Sequence, residues 1–358
     1  MAIDDIRSLI DKIDKQIVKL LDRRVELTDK ISEEKKKSGS SFFVPSREKE
    51  ILKKVLRTAK RFPKESLSII FKNIFQTCRN LEEPLKIAYL GPAGTYSHES
   101  ALRIFGTLVN HIPFESIADV FNAVETGNAH YGVVPFENTT EGVVTHTIDL
   151  FWLSDLKIVG EYFLPVSNCL LSLENSISKI KKLYSHPQAF AQTRTWVSMN
   201  LPGVKLIETT STAEAAKIVT KIKNSAAIAS VAASKIYGLK IIAENIQDME
   251  TNVTRFLIIG KNNSNKVTGN DKTSILFTTK DRPGALYDVL TCFKKENVNM
   301  SKIESRPVKG RPWEYFFFVD LAGHIEDLKI KRSILKASEK AMDFKVLGSY
   351  PVEEDNKE

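Results

Sequence analysis

Apolar residues fall at Ile6, Ile10, Ile13, Ile17 and Leu20 and resume at Leu27 and Ile31. Steps of four and three residues place them on one stripe of a long helix. A rod of over ~30 residues has too few partners within its own chain to cover such a stripe, so the stripe predicts a dimer. It is broken at position 24, which holds Arg24. A guanidinium in an apolar seam is costly unless it meets an anion. That anion is either a ligand or a glutamate across an interrupted coiled-coil face. Lys35 lies eleven residues on, close to the same face.

Two shorter helices follow. Ser46, after Pro45, reads as an N-cap. Glu48, Ile51, Leu52 and Val55 form one stripe, and Leu67, Ile70, Phe71, Ile74, Phe75, Cys78 and Leu81–Glu82 another. Arg24, Lys35, Glu48 and Glu82 therefore all point inward, and charge clusters of this kind mark sites. Residues 1–84 hold 20 basic and 14 acidic residues, a surplus of six within a net charge of +8. Without zinc-finger spacing or basic-aromatic interleaving, this favours a small anion over nucleic acid. Arg7 stands roughly 25 Å from Arg24 along the same helix, so both grip one small molecule only if Arg7 comes from a second copy.

Residues 1–82 resemble the all-helical chorismate mutases in D-x-I-R, L-L-D-R-R-V-E-L, R-E-K-E-I-L and I-F-K-N-I-F-Q-T-C-R-N-L-E. The resemblance implies an interlaced helical dimer that rearranges chorismate to prephenate without metal, cofactor or covalent intermediate. It further implies that Arg7 of a second copy, Arg24 and Arg47 hold the carboxylates. Lys35 and Glu82 would bond the ether oxygen, Glu48 the ring hydroxyl, and Cys78 would line the site. Cys78 and Glu82 depart from the family's usual Ser and Gln. A carboxylate donates no hydrogen bond but a carboxylic acid does, so Glu82 is expected to work protonated.

The middle of the chain alternates short apolar strands with polar turns. Ile87 to Leu90 runs into G-P-A-G-T-Y-S-H, and Tyr131 to Phe136 into E-N-T-T-E-G, where Gly142 permits a turn. S-H-P-Q and E-T-T-S-T-A open helices, and Ala226 to Ala229 is a small buried strand. None of these is a P-loop or a dinucleotide fingerprint, and the histidines show no metal-ligand spacing. Asn252 to Gly260, N-V-T-R-F-L-I-I-G, closes the region as a buried strand. Two roles fit Thr254 and Arg255 at its start: groups facing a ligand, or a turn cap and a solvated charge.

Residues 85–261 resemble prephenate dehydratase in I-A-Y-L-G-P-A-G-T-Y-S-H, G-V-V-P-F-E-N-T-T-E-G, S-H-P-Q-A, S-T-A-E-A-A, A-A-I-A-S and T-R-F. The resemblance implies two α/β lobes arranged like a periplasmic solute-binding protein, near 87–164 plus 245–260 and 165–244. Prephenate would lose CO₂ and its ring hydroxyl together to give phenylpyruvate. Thr254 would assist departure of the hydroxyl and Arg255 would bind a carboxylate. Glu137, Asn138, Thr95, Ser97, Ser185, Gln188, Ser211 and Phe256 would face the substrate. The proton source is left open between Thr254, Glu137 and water.

After a polar linker, Lys261 to Asp271, strands are expected at Ser274 to Thr278, Val298 to Ser305, Trp313 to Leu321 and near Tyr350. Helices are expected to open at Pro283 and to span Ile325 to Ala341. The order βαββαβ is ferredoxin-like. G-A-L-Y (Gly284, Ala285, Leu286, Tyr287) and E-S-R-P (Glu304, Ser305, Arg306, Pro307) resemble the effector motifs of the ACT domain. That resemblance implies feedback inhibition by L-phenylalanine across a paired domain. The tail E-E-D-N-K-E is expected to be disordered.

The chain thus reads as multidomain: an all-α helical mutase module (1–84), a two-lobed α/β dehydratase domain (85–261) and an α+β ACT domain (272–351). Its expected partners are chorismate, prephenate and L-phenylalanine, in a homodimer or dimer of dimers, with no cofactor, nucleic acid or membrane. Cys78, Cys169 and Cys292 form no disulfide or zinc pattern. With M-A-I-D-D-I-R, which lacks a signal pattern, they point to the cytoplasm. One alternative keeps the dehydratase and makes the helical module chiefly a dimerisation element. Another is a non-catalytic solute-binding protein.

Overall fold

Helix α1 (Ile3–Ser38) carries the N-terminal stripe, and Ile6, Ile10, Ile13, Ile17, Leu20, Leu27 and Ile31 are all exposed in the single chain. Its C-terminal half packs on α3 (Lys64–Glu82), where Ser32 Oγ donates to the Glu82 carbonyl at 2.5 Å. Between them lies α2 (Pro45–Thr58). The expected cap at Ser46 is corrected: the helix opens at Pro45, with Val44 as the capping position. Ser46 instead accepts from the backbone of Lys266 at 3.0 Å, while its own N–H bonds Asn265. The computed structural model describes residues 3–38, 41–249, 251–263, 265–308, 311 and 314–353. Trp313 and the tail residues 354–358 lie outside the described residues, as do 39 and 40 of the polar loop.

The first α/β sheet has the order β2-β1-β3-β11-β5, with β4 paired to β3. Its strands are β1 (Lys86–Leu90), β2 (Asn110–Phe114), β3 (Tyr131–Asn138), β4 (Gly142–Val143), β5 (Lys157–Pro165) and β11 (Val253–Gly260). Helices α4 (Tyr96–Phe105), α5 (Ile117–Thr126) and α6 (Thr145–Leu153) connect them. The chain then crosses to a second sheet, β10-β6-β9-β7-β8. That sheet is built from β6 (Cys169–Ser172), β7 (Lys182–Ser185), β8 (Lys205–Glu208), β9 (Ser225–Ala229) and β10 (Lys240–Ala243). Its helices are α7 (Pro187–Gln192), α8 (Arg194–Asn200), α9 (Thr212–Val219) and α10 (Val231–Tyr237). The chain returns through β11, so two crossings join the sheets.

The third sheet, β13-β14-β12-β15, is wholly antiparallel. It comprises β12 (Asp271–Thr278), β13 (Met300–Pro307), β14 (Tyr315–Ala322) and β15 (Phe344–Pro351), with α11 (Ala285–Lys295) and α12 (Leu328–Ser338) on one face. Pro283 does not open α11; the helix starts at Ala285 behind Gly284, whose φ is 79°. The other face packs on the first sheet. Phe316, Phe318, Leu276 and Leu347 share one core with Val134, Phe136 and Leu257. The backbones meet at Gly348, where a Cβ would lie 2.2 Å from the Ile158 carbonyl oxygen, so no larger residue fits. The linker is bound on both sides: Asn263 Nδ2 donates to the carbonyls of Ile158 (3.1 Å) and Ser349 (2.7 Å). Among the described residues, no helix is long and apolar enough to cross a membrane.

Candidate active sites

In the helical module, α1 and α3 bring Lys35 and Glu82 together, with Nζ 2.8 Å from Oε1. Arg24 lies on the same side of α1, its guanidinium carbon 5.6 Å from the Phe75 ring centroid. Arg24 Nη1 is buried with no hydrogen-bond partner among the described residues. Cys78 is buried one turn before Glu82. Arg47 is exposed and paired to Glu50 at 2.7 Å. Glu48 is paired to Arg79, a residue the sequence reading missed. Arg7 is exposed, pairs with Asp4 at 3.3 Å, and is not brought to this cluster within one chain.

The second cluster stands at one end of the first sheet. Strands β1 and β3 are parallel and β11 is antiparallel to β3. The G-P-A-G-T-Y-S turn, Asn138 and Thr254 therefore share that end, where open sheets place ligands. Asn138 Nδ2 donates to Thr254 Oγ1 at 2.8 Å and to Asn252 Oδ1 at 2.7 Å. Its Oδ1 accepts from the backbone N–H of Thr140 (2.9 Å) and Glu141 (3.1 Å). The carboxamide is thus fully engaged and fixes the Thr254 hydroxyl. Asn252 was missed, although a polar residue two before Thr254 on a strand shares its face.

The β3–β11 ladder slips between Arg255 and Phe256, so Phe136 is an extra residue on β3. At such a bulge the strand re-aims its side chains. Phe136 and Glu137 both meet the third sheet, Phe136 on Phe318 and Glu137 on Lys302 Nζ at 2.7 Å. Arg255 faces the same way, and this corrects its expected place. It is 5% exposed and donates to Glu161 (2.8 Å), Asp320 (2.7 Å) and Tyr350 Oη (3.1 Å), which leaves no edge for a substrate carboxylate. Burial opposes its charge, but Asp320, Tyr350 and Glu161 outweigh that and hold the guanidinium protonated. Lys272 also pairs with Glu161 at 2.8 Å.

Other expected contacts are corrected as well. Phe256 is core, packed with Phe105, Tyr131 and Leu164. Ser185 is wholly buried and donates to the Ile228 carbonyl at 2.8 Å. Thr95 caps α4 and donates to the Leu90 carbonyl, and Ser211 caps α9, so these hydroxyls first serve local structure. Ser97 is buried in the first turn of α4, and Gln188 is half-buried at the start of α7. The second lobe touches the same region: Ser230 Oγ donates to the Gly94 carbonyl at 3.1 Å and Tyr237 Oη to that of Ala93 at 2.8 Å. Tyr96 Oη bonds Ser167 and Asn168 at the crossing between lobes.

In the third sheet, Gly284, Ala285, Leu286 and Tyr287 line a depression of about 390 Å³ with Arg282 and Phe317. The E-S-R-P strand is an edge strand. Arg306 turns away from that depression to Asp149 of α6 at 3.3 Å, a correction to its expected effector role. Glu304 shares the face of Lys302 and Arg306 toward the first sheet, by strand alternation. Ser305 and Pro307 are exposed on the opposite face.

Comparison with known proteins gives three family matches: Chorismate mutase type II over residues 6–83, Prephenate dehydratase over 87–264 and ACT domain over 273–339. The bifunctional chorismate mutase/prephenate dehydratase of Aquifex aeolicus is 47% identical over 352 residues, covering 97% of each chain. The solved prephenate dehydratase of Arthrobacter aurescens in complex with L-Phe matches with a TM-score of 0.70 at 32% identity, over 75% of this chain and 90% of that one. GqqA, described as a novel type of quorum quenching acylase, matches with a TM-score of 0.69 at 29% identity, over 75% and 98%.

Proposed function

Because this chain belongs to the bifunctional chorismate mutases/prephenate dehydratases, we propose that its two polar clusters are the sites of two successive reactions. The enzyme rearranges chorismate to prephenate, converts prephenate to phenylpyruvate, and is feedback-inhibited by L-phenylalanine at its ACT domain. The division proposed is 1–84 for the mutase, 85–261 for the dehydratase, with lobes 87–164 plus 245–260 and 165–244, and 272–351 for the sensor. Relatives that match the full length are bifunctional enzymes, whereas GqqA matches three-quarters of the chain.

For the mutase, the buried Arg24 Nη1 without a hydrogen-bond partner and the Lys35–Glu82 pair favour this reading. As the ether C–O bond breaks, charge gathers on its oxygen, and the proposed role of Lys35 Nζ is to donate to it. Arg24 and Arg47 take carboxylates, Glu48 takes the ring hydroxyl, and Cys78 lines the pocket. A second copy laid along the uncovered α1 stripe brings its own Arg7, which makes the working form a homodimer or a dimer of dimers.

For the dehydratase, the observation that carries the reading is the Asn138–Thr254 bond at a strand end facing the second lobe. Prephenate's ring carboxylate leaves as CO₂, and its bonding pair enters the ring. In the same step the ring expels the hydroxyl, which takes one proton and departs as water. Thr254 Oγ1 accepts from Asn138, so its own O–H points elsewhere and donates to the leaving hydroxyl, and solvent returns a proton to Thr254 before the next turnover. The Asn138 N–H steadies the oxygen as that proton shifts. Ser97, Gln188, Thr95 and Ser211 keep their proposed role of facing the substrate, as does Glu137, whose carboxylate pairs with Lys302. With three buried free cysteines, the cytoplasm is the proposed location.

Prephenate turnover by Thr254→Val and Asn138→Ala tests the assignment. The expected loss in kcat is on the order of 10²–10⁴ for Thr254→Val and smaller for Asn138→Ala, which acts through Thr254. Wild-type kcat in Thr254→Val removes the assignment.

A further inference from the structure

Glu48, read above as the group that holds the ring hydroxyl of chorismate, does not stand alone. Arg79 Nη1 donates to Glu48 Oε1 at 2.9 Å. Arg79 follows Cys78 on α3 and is only 3% exposed. Its Nη2 donates to the Ile104 carbonyl at 3.2 Å, and Gln76 on the same helix donates to the Arg103 carbonyl at 3.1 Å. Both carbonyls belong to the last turn of α4, where a helix leaves its oxygens unpaired and its dipole favours a cation. The guanidinium carbon lies 4.7 Å from the Phe43 ring centroid and 5.4 Å from that of Phe105. Arg79 is thus fixed by the dehydratase domain and by the connector before α2, and it offers one edge to Glu48.

A cap for α4 needs no carboxylate. Glu48 is about one-third exposed, and without Arg79 its side chain has several staggered conformations open to it. We propose that Arg79 is a positioning residue for Glu48 in the chorismate rearrangement, so that the mutase site is completed by docking on the dehydratase domain. Helix α4 begins at its other end in the G-P-A-G-T-Y-S turn, so one ten-residue helix joins that turn to the carbonyls that hold Arg79. The proposal rests on the reading of Glu48 as a substrate-binding residue.

The test uses the full chain, with chorismate for the mutase and prephenate for the dehydratase. Arg79→Met is expected to raise the chorismate KM at least fivefold with kcat within threefold of wild type. Arg79→Lys, which keeps the charge near Glu48, should recover at least half of that loss on a logarithmic scale. In a Glu48→Gln background, Arg79→Met should change KM by less than twofold, because its effect passes through Glu48. Prephenate turnover by each sample shows that the chain is folded. An equal effect of Arg79→Met with and without Glu48, or no effect on KM, overturns the proposal. A Glu48→Gln variant with wild-type mutase kinetics overturns the assignment of Glu48 first, and this proposal with it.

Discussion

Arg255 and Asp320 meet at 2.7 Å inside the protein, one on the strand that carries Thr254 and the other in the ACT sheet. Thr254 and Arg255 are consecutive, so they face opposite sides of β11. The hydroxyl reaches Asn138 and the guanidinium reaches the sensor. A ligand acts on a distant site only through unequal affinity for two states. This buried pair, with Lys302 on Glu137 and Arg306 on Asp149, links the two sheets and is the proposed route between sensor and cleft.

Asp320→Asn removes one charge and leaves Arg255 buried with Glu161. The expected cost is about 2–4 kcal/mol in unfolding free energy, below the upper end for a broken buried pair because Glu161 remains. In the same variant, half-inhibition of prephenate turnover should need at least threefold more L-phenylalanine. Denaturant unfolding and an inhibition curve check both. Unchanged stability together with an unchanged curve contradicts the coupling assigned to this pair.

Gly284 holds a φ of 79°, a conformation that β-branched residues avoid, and it borders the depression lined by Ala285, Leu286 and Tyr287. Gly284→Val should raise the half-inhibitory L-phenylalanine concentration about tenfold or more. Uninhibited prephenate turnover should stay within twofold. Loss of turnover with retained sensitivity is the contrary result.

Glu82 lies 2.8 Å from Lys35 Nζ, and the proposed bond to the ether oxygen needs a donor at this position. An amide offers one and a hydrocarbon none, so Glu82→Gln should keep or raise mutase kcat/KM and Glu82→Leu should lower it about tenfold or more. Wild-type kcat/KM in Glu82→Leu removes this role.

His98 is buried on Tyr89, accepts from the Gly94 N–H, and has His111 5.7 Å away. Burial first, and the charge of His111 second, lower its pKa to about 4. The fold therefore prefers the neutral ring. The stability this adds is full above the ordinary histidine range, near pH 6.5, and is lost as pH falls toward 4. Unfolding free energy should drop by about 1–3 kcal/mol over that interval. His98→Gln should lose measurably less, and parallel slopes for the two proteins contradict the assignment.

What the sequence made legible was local. The four-and-three stepping of Ile6 to Ile31 gave a helix and its need for a second copy. The turns after Leu90 and Phe136 and the T-R-F strand gave one sheet end. Placement across long separations was not legible. Nothing near Arg255 names Asp320, 65 residues away. The bulge at Phe136 that turns Glu137 toward the sensor has one mark, Pro135 just before it, but a proline in a strand fits an edge as well as a bulge. Partial signals were present: Glu161 and Asp320 are lone carboxylates inside apolar strands, and such charges require buried partners. The hydroxyls of Thr95, Ser185 and Ser211 looked like ligand groups because capping and binding use the same residue types at the same turns.

The most direct measurement supplies chorismate alone to the wild-type chain and to Thr254→Val, following chorismate, prephenate and phenylpyruvate in one time course. Two separate sites on one chain predict phenylpyruvate from the wild type. From the variant they predict prephenate that accumulates at the wild-type rate of chorismate loss, with phenylpyruvate at the uncatalysed rate only. Phenylpyruvate formed by the variant at the wild-type rate, or chorismate left unconsumed by both proteins, contradicts the account.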